Sequence, residues 1–205
     1  MNTTSSTPLK QRVAQEAAIL LYTSQEKEYK QAKQRAAQTL GVRMLPSNRE
    51  VAQELDTLAD EIEGVARQKR LLQMRHDALK AMKVLKEFHP RLIGSVWRGT
   101  AHKNSDIDIV TFSSQPATVL QKLEQQGFKV AKTEWQSAPK LDRREKSFHI
   151  YLELPSGNQA EIVVRSPERI NQKERCEIYG DTVKGLNPHQ LERLLEENSL
   201  QKFTP

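Results

Sequence analysis

The chain has a single cysteine, Cys176, among 205 residues. A lone thiol excludes a disulfide framework and any zinc site built on cysteines. Aromatic side chains make up only 5% of the sequence, so the core must be aliphatic. No apolar run approaches the roughly 18 residues needed to span a membrane as a helix. Residues 1–8 are polar and uncharged and lack the basic start and apolar stretch of a secretory signal. A cytoplasmic protein with no membrane partner is the expectation. Glycine is scarce early on: only Gly41 and Gly64 fall within the first 90 residues, as befits a region built of helices.

The chain length suits one domain, or one domain with a helical extension. Thirty-two basic residues against 26 acidic give a net charge of +6. That sign favours anionic partners such as nucleotides or RNA, yet so many acids exclude a simple nucleic-acid coat.

From Leu9 to Leu40 there is neither Pro nor Gly, and Val13, Ala17, Leu20 and Leu21 recur at helical spacing, predicting a helix stopped at Gly41. Ser47 with Glu50 three residues on reads as a capping box. The helix it starts would bury Val51, Leu55, Leu58, Ala59 and Ile62. Helical pattern continues from Val65 to about Glu87 and ends at His89-Pro90. An acidic block (Glu54, Asp56, Asp60, Glu61, Glu63) precedes a basic one (Arg67, Lys69, Arg70, Arg75, Lys80, Lys83, Lys86). Two solvated faces attracting each other across a hairpin account for it, with a phosphate-tracking surface as the alternative.

Beyond residue 90 the texture changes to short strands and helices. Strands are expected at Arg91–Gly94, Ile107–Phe112, Phe128–Glu134, Phe148–Leu154 and Gln159–Val164. Pro155-Ser156-Gly157-Asn158 would close a hairpin between the last two. Helices are expected at Ala117–Gln126 and Asn187–Asn198, the latter with Pro188 in its first turn. Lys140, Arg143, Arg144 and Lys146 form a small basic stretch, most simply a solvated loop. The fold class is therefore α+β: a mixed sheet flanked by helices over residues 89–205, preceded by a helical region over 1–88.

The chemistry concentrates in Gly94-Ser95-Val96-Trp97-Arg98-Gly99 and Ser105-Asp106-Ile107-Asp108. A Gly-Ser pair after a strand lets backbone N–H groups approach a phosphate, with the Ser hydroxyl as a further donor. Arg98 could reach the same anion through its fork. Asp106 and Asp108 alternate onto one face. Two like charges there repel unless a hard cation such as Mg²⁺ or Mn²⁺ bridges them. Glu161 interrupts an apolar run on a neighbouring strand, where a carboxylate is costly unless paired or metal-bound. The histidines His76, His89, His149 and His189 are scattered, which gives little support for a His-based metal site. Trp97 could stack on a base or pack inside.

These residues, in this order, resemble the signature of the DNA polymerase beta-like nucleotidyltransferase superfamily, most closely its minimal nucleotidyltransferase branch. The resemblance covers roughly residues 85–165. It implies that Asp106, Asp108 and Glu161 are the catalytic, metal-binding carboxylates, with Mg²⁺ or Mn²⁺ as cofactor. It implies equally that Gly94, Ser95, Arg98 and Ser105 bind the nucleotide. The implied reaction moves an NMP from an NTP, ATP foremost, to a hydroxyl of a protein, an RNA or a small molecule, releasing pyrophosphate. The alternative is a nucleotide-binding regulatory or partner-binding module without transferase activity, such as an antitoxin-like component. Apolar faces on the N-terminal helices would suit a homodimer or packing on the catalytic domain.

Overall fold

A computed structural model describes residues 8–139 and 144–205. Lys140 and Arg143 of the basic stretch, and the polar start at residues 1–7, lie outside the described residues. Contacts divide the chain into two compact units: residues 1–67 with 175–181 and 205, and residues 68–174 with 182–204.

The first unit is helical: α1 (Leu9–Tyr22), α2 (Tyr29–Thr39), α3 (Asn48–Glu63) and the start of α4 (Val65–Val84). The single helix expected over 9–40 is broken. Thr23 folds its hydroxyl back onto the Ile19 carbonyl at 2.7 Å, and Ser24 takes φ +56°. Short polar side chains that bond the preceding turn compete with the helix ladder, which ends α1 without a glycine or proline. Alanines let these helices approach closely: Ala14, Ala17, Ala32, Ala36 and Ala59 are buried with Val13, Leu21, Val51 and Leu55. The Ser47–Glu50 capping box forms as expected. Ile62 does not join the buried face and is 58% exposed. Gly64, at φ +49°, separates α3 from α4. Across this turn Arg67 is buried and pairs with Asp56 at 2.6 Å and Asp60 at 2.5 Å. Here the acidic and basic blocks do attract each other.

The second unit carries β1 (Arg91–Ile93), α5 (Gly94–Arg98), β2 (Ile107–Phe112), α6 (Pro116–Gln125), β3 (Lys129–Pro139), β4 (Arg144–Glu153), β5 (Gln159–Arg165) and α7 (Pro188–Glu197). The strands form one sheet in the order β1-β2-β5-β4-β3. β2 and β5 are parallel and the other pairs antiparallel. Ile107, Ile109, Ile150, Leu152, Ile162 and Val164 share a core with Met74 and Met82 of α4, Leu123 of α6 and Leu191 of α7. β3 and β4 run further than their sequence pattern suggests. Ala131, Trp135, Ser137 and Lys146 are exposed there, and a ribbon with no buried face has no period-two signature to read.

Arg75, read as part of a basic surface, is instead fully buried. Its guanidinium donates to the carbonyls of Val96 (3.2 Å), Trp97 (3.1 Å), Ser199 (2.5 Å) and Gln201 (2.8 Å). Burial pulls its pKa down to about 10. One side chain thus ties α4 to α5 and to the chain after α7. Arg75→Met should lower the unfolding free energy by about 3–5 kcal/mol, because two buried and two partly buried carbonyls lose their donor. A urea midpoint within experimental error of the wild type would contradict this.

Candidate active site

The turn from β1 into α5 places Gly94 at φ +69°, a conformation other residues avoid. A Cβ built on Gly94 would lie 1.9 Å from Asp108 Oδ2. Glycine is therefore required twice, for its backbone angle and to admit the Asp108 carboxylate. Ser95 follows as the second residue of α5, and its hydroxyl makes no hydrogen bond among the described residues. The first N–H groups of a helix have no partner within it.

Asp106 precedes β2 and Asp108 is its second residue. Register does the rest: Asp108 lies opposite Ile93 on β1 and opposite Glu161 on β5. Because alternate residues share a face, Asp108, Glu161, His149 and Tyr151 line one side of the sheet while Ile107, Ile109, Ile162 and Ile150 fill the core on the other. Burial first, then the charges of Glu161 and Asp106, push Asp108 up to about 7. Partial loss of water and the charge of Glu161 also raise Asp106. The structure thus brings together Gly94, Asp106, Asp108 and Glu161.

Two expected ligands are placed differently. Arg98 is buried, donates from Nη1 to the Phe203 carbonyl at 2.9 Å, and lies 4.5 Å from the Trp97 ring centroid. Its fork is committed to the C-terminal segment, whose Phe203 N–H returns a bond to the Arg98 carbonyl. Residues three apart lie near one face of a helix, so it is the hold of the Phe203 carbonyl on Arg98, and not the helix geometry, that gives Arg98 and Ser95 different targets. Trp97 is likewise interior, stacked with Phe203 at 6.4 Å. Ser105 closes the loop before β2: its hydroxyl accepts from the His102 N–H at 2.9 Å, and its own N–H donates to the His102 carbonyl.

His149, set aside in the sequence as one of several scattered histidines, belongs to the cluster. Its Nδ1 lies 2.6 Å from Glu161 Oε1, and its Nε2 is 2.8 Å from Ser147 Oγ. Tyr151 stands opposite Glu161 in the register and donates its hydroxyl to Glu134 Oε1 at 2.8 Å. Glu134 is held down at about 2, chiefly by Lys132, then by Gln136 and Tyr151. The signal for both residues was present in the hairpin register, which sets Tyr151 opposite Glu161; reading histidines for metal ligation alone missed it. Among the described residues no three acidic, His or Cys side chains already converge on one metal position. The donors are nonetheless hard oxygens whose mutual repulsion a divalent cation would relieve.

A family model described as a nucleotidyltransferase domain matches residues 80–193, more than half of the chain. The chain belongs to the nucleotidyltransferase domain family. Among solved structures, a cytoplasmic RNA terminal U-transferase is 20% identical over 47% of this chain and 29% of its own, at a TM-score of 0.34. Cid1, an RNA terminal uridylyl transferase, is 19% identical over 47% and 30%, at 0.35. Cid1 in complex with the UTP analogue UMPNPP is 17% identical over 58% and 37%, at 0.34. The chain thus spans about a third of the length of these proteins. No curated protein matches it.

The nucleotidyltransferase domain permits two tests of its packing and charge. Gly94→Ala should cost about 1–3 kcal/mol through positive-φ strain and overlap. In the Asp108→Ala background part of that cost should vanish, since Oδ2 and Cγ are gone while the strain remains; strict additivity in a double-mutant cycle would refute the contact. The second test concerns pH. The folded protein holds the Asp108 proton more tightly than the unfolded chain, so this group's contribution to stability falls as pH rises from about 4 to about 7. In chelator, Asp108→Asn should therefore gain on the wild type by up to about 4 kcal/mol at pH 8, with the gain gone near pH 4. A pH-independent difference between their thermal midpoints would contradict the cluster's electrostatics.

Proposed function

We propose that this chain is a metal-dependent nucleotidyltransferase that moves an NMP, with AMP the favoured group, from an NTP to a hydroxyl acceptor. The observation that carries the reading is the β1–β2–β5 register, with Asp108 against Gly94 on one side and Glu161 on the other. Family membership supports the same chemistry.

In this reading Asp106, Asp108 and Glu161 hold Mg²⁺ or Mn²⁺. The cation, when bound, neutralises charge on the α-phosphate and makes the attacking hydroxyl more acidic. The backbone N–H groups at Gly94 and Ser95, with the Ser95 hydroxyl, bind the β- and γ-phosphates. Ser105 acts indirectly by fixing the loop that delivers Asp106, and Arg98 by anchoring α5. His149 orients Glu161, so that its carboxylate meets the substrate in one geometry. The acceptor oxygen attacks the α-phosphorus in line, the bond to the bridging oxygen breaks, and pyrophosphate leaves. The hydroxyl proton passes to a carboxylate of the cluster.

No helix among the described residues is long and apolar enough to cross a membrane. A cytoplasmic setting with nucleotides and an RNA or protein acceptor accords with that and with the positive net charge.

The test is transfer of α-labelled phosphate from each of the four NTPs, with Mg²⁺ or Mn²⁺, to RNA and to protein. Asp108→Asn should lower the rate by at least about 10³-fold, as loss of a group acting on the transition state does. His149→Ala should lower it by about 10–100-fold, as removal of a residue orienting a metal ligand does. Mg²⁺ should raise the thermal midpoint of the wild type at pH 8 and leave that of Asp108→Asn unmoved. Full activity in Asp108→Asn would sink the mechanism.

A further inference from the structure

A cavity of about 440 Å³ opens on the same face of the sheet as the carboxylates. Alternation shows why the two are neighbours. Ile93, which lines the cavity, lies opposite Asp108, and Val110, also in the lining, is the next residue of β2 on that face. The cavity therefore begins one pleat repeat from Asp108, roughly 7 Å along the strand.

Its charge is one-sided. Arg91, Arg165, Arg169, Lys173 and Lys184 line it against one acid, Glu174. Glu174 is shared by Arg165 at 2.7 Å and Arg169 at 2.6 Å, so its single charge answers two guanidiniums. Lys173 and Lys184 are exposed and make no ion pair among the described residues. The floor, by contrast, is apolar, formed by Ile93, Val110 and Phe112 with Ile170 and Val183. A cavity of this volume suits a ligand of nucleotide size.

Resting on the transfer reaction proposed above, we infer that this cavity is the acceptor subsite and that the acceptor is a nucleotide carrying phosphate close to its reactive hydroxyl. The apolar floor takes base and ribose; the basic rim takes phosphate. The donor NTP is a poorer match for the rim. With its triphosphate at Gly94 and Ser95, the part of the NTP left to extend across the sheet is the uncharged nucleoside, which brings no anion to Lys173 and Lys184. A protein hydroxyl brings no such charge either. The phosphate can belong to the end of an RNA strand or to a free nucleotide, which share this chemistry.

The experiment measures binding of a fluorescently labelled oligoribonucleotide with a free 3′-hydroxyl to the full chain, without NTP. AMP and adenosine serve as competitors. AMP should displace the label and adenosine should not; displacement by adenosine as effective as by AMP would overturn the phosphate assignment. An oligonucleotide bound more tightly than AMP identifies a strand end as the acceptor, and AMP bound as tightly identifies a free nucleotide. Lys173→Glu/Lys184→Glu should weaken binding at least about tenfold and reduce the slope of log affinity against log salt by about two. Lys173→Arg/Lys184→Arg should bind like the wild type, and NTP affinity should be unchanged in both variants. Unaltered oligonucleotide affinity in the Glu variant, or a loss confined to NTP, would overturn the inference. Nucleotide binding that depends on these lysines with no NMP transferred to any acceptor would refute the transfer reaction and leave the subsite standing. Transfer with an unchanged acceptor KM in the Glu variant would do the reverse.

Discussion

Carboxylates repel one another, and here the backbone leaves them no choice of distance. The parallel pairing of β2 with β5 sets Asp108 opposite Glu161, and the absence of a side chain at Gly94 lets Asp108 sit against the turn into α5. Burial and like charge then raise Asp108 to about 7. A cluster of this kind destabilises the fold above neutral pH, and it persists because the opposite face of the same strands is packed with Ile107, Ile109 and Ile162, all fully buried. The aliphatic core supplies the rigidity that holds like charges together.

The rest of the site depends on how the α5 turn is kept in place. A helix of five residues has too few internal hydrogen bonds to be stable by itself. Arg75 compensates by donating to two α5 carbonyls and to two in the C-terminal segment. Arg98 and Phe203 add a reciprocal pair. Two arginines that look like phosphate ligands in a basic sequence are thus buried structural cations donating to backbone carbonyls. The cations left at the surface of the sheet, around Glu174, are the ones disposed to meet an anion.

Much of this was legible beforehand where a local signal coincided with a buried face. The Ser47 cap, the strand at Ile107–Phe112 and the hairpin around Gly157 follow from neighbours within a few residues. Legibility failed where the deciding partner is distant in sequence. Arg98 reads as an anion ligand until Phe203 is seen to hold it. Arg75 reads as surface charge until four carbonyls are found around it. His149 reads as incidental until the hairpin brings it to Glu161. The break at Thr23 failed for another reason: a side chain bonding its own preceding turn leaves no mark in hydrophobic periodicity.

By itself, then, the sequence determined the kinds of element, the carboxylates and the glycine that admits one of them, because these rest on local backbone preference and on period-two alternation. Only the tertiary structure decided which arginines are buried and which histidine orients a carboxylate. It alone gathered Arg91, Arg165 and Lys184 from three separate segments around one cavity. Burial and charge pairing depend on what lies across the fold rather than along the chain, so the same residue type can serve the core or the site, and only its neighbours in space tell which.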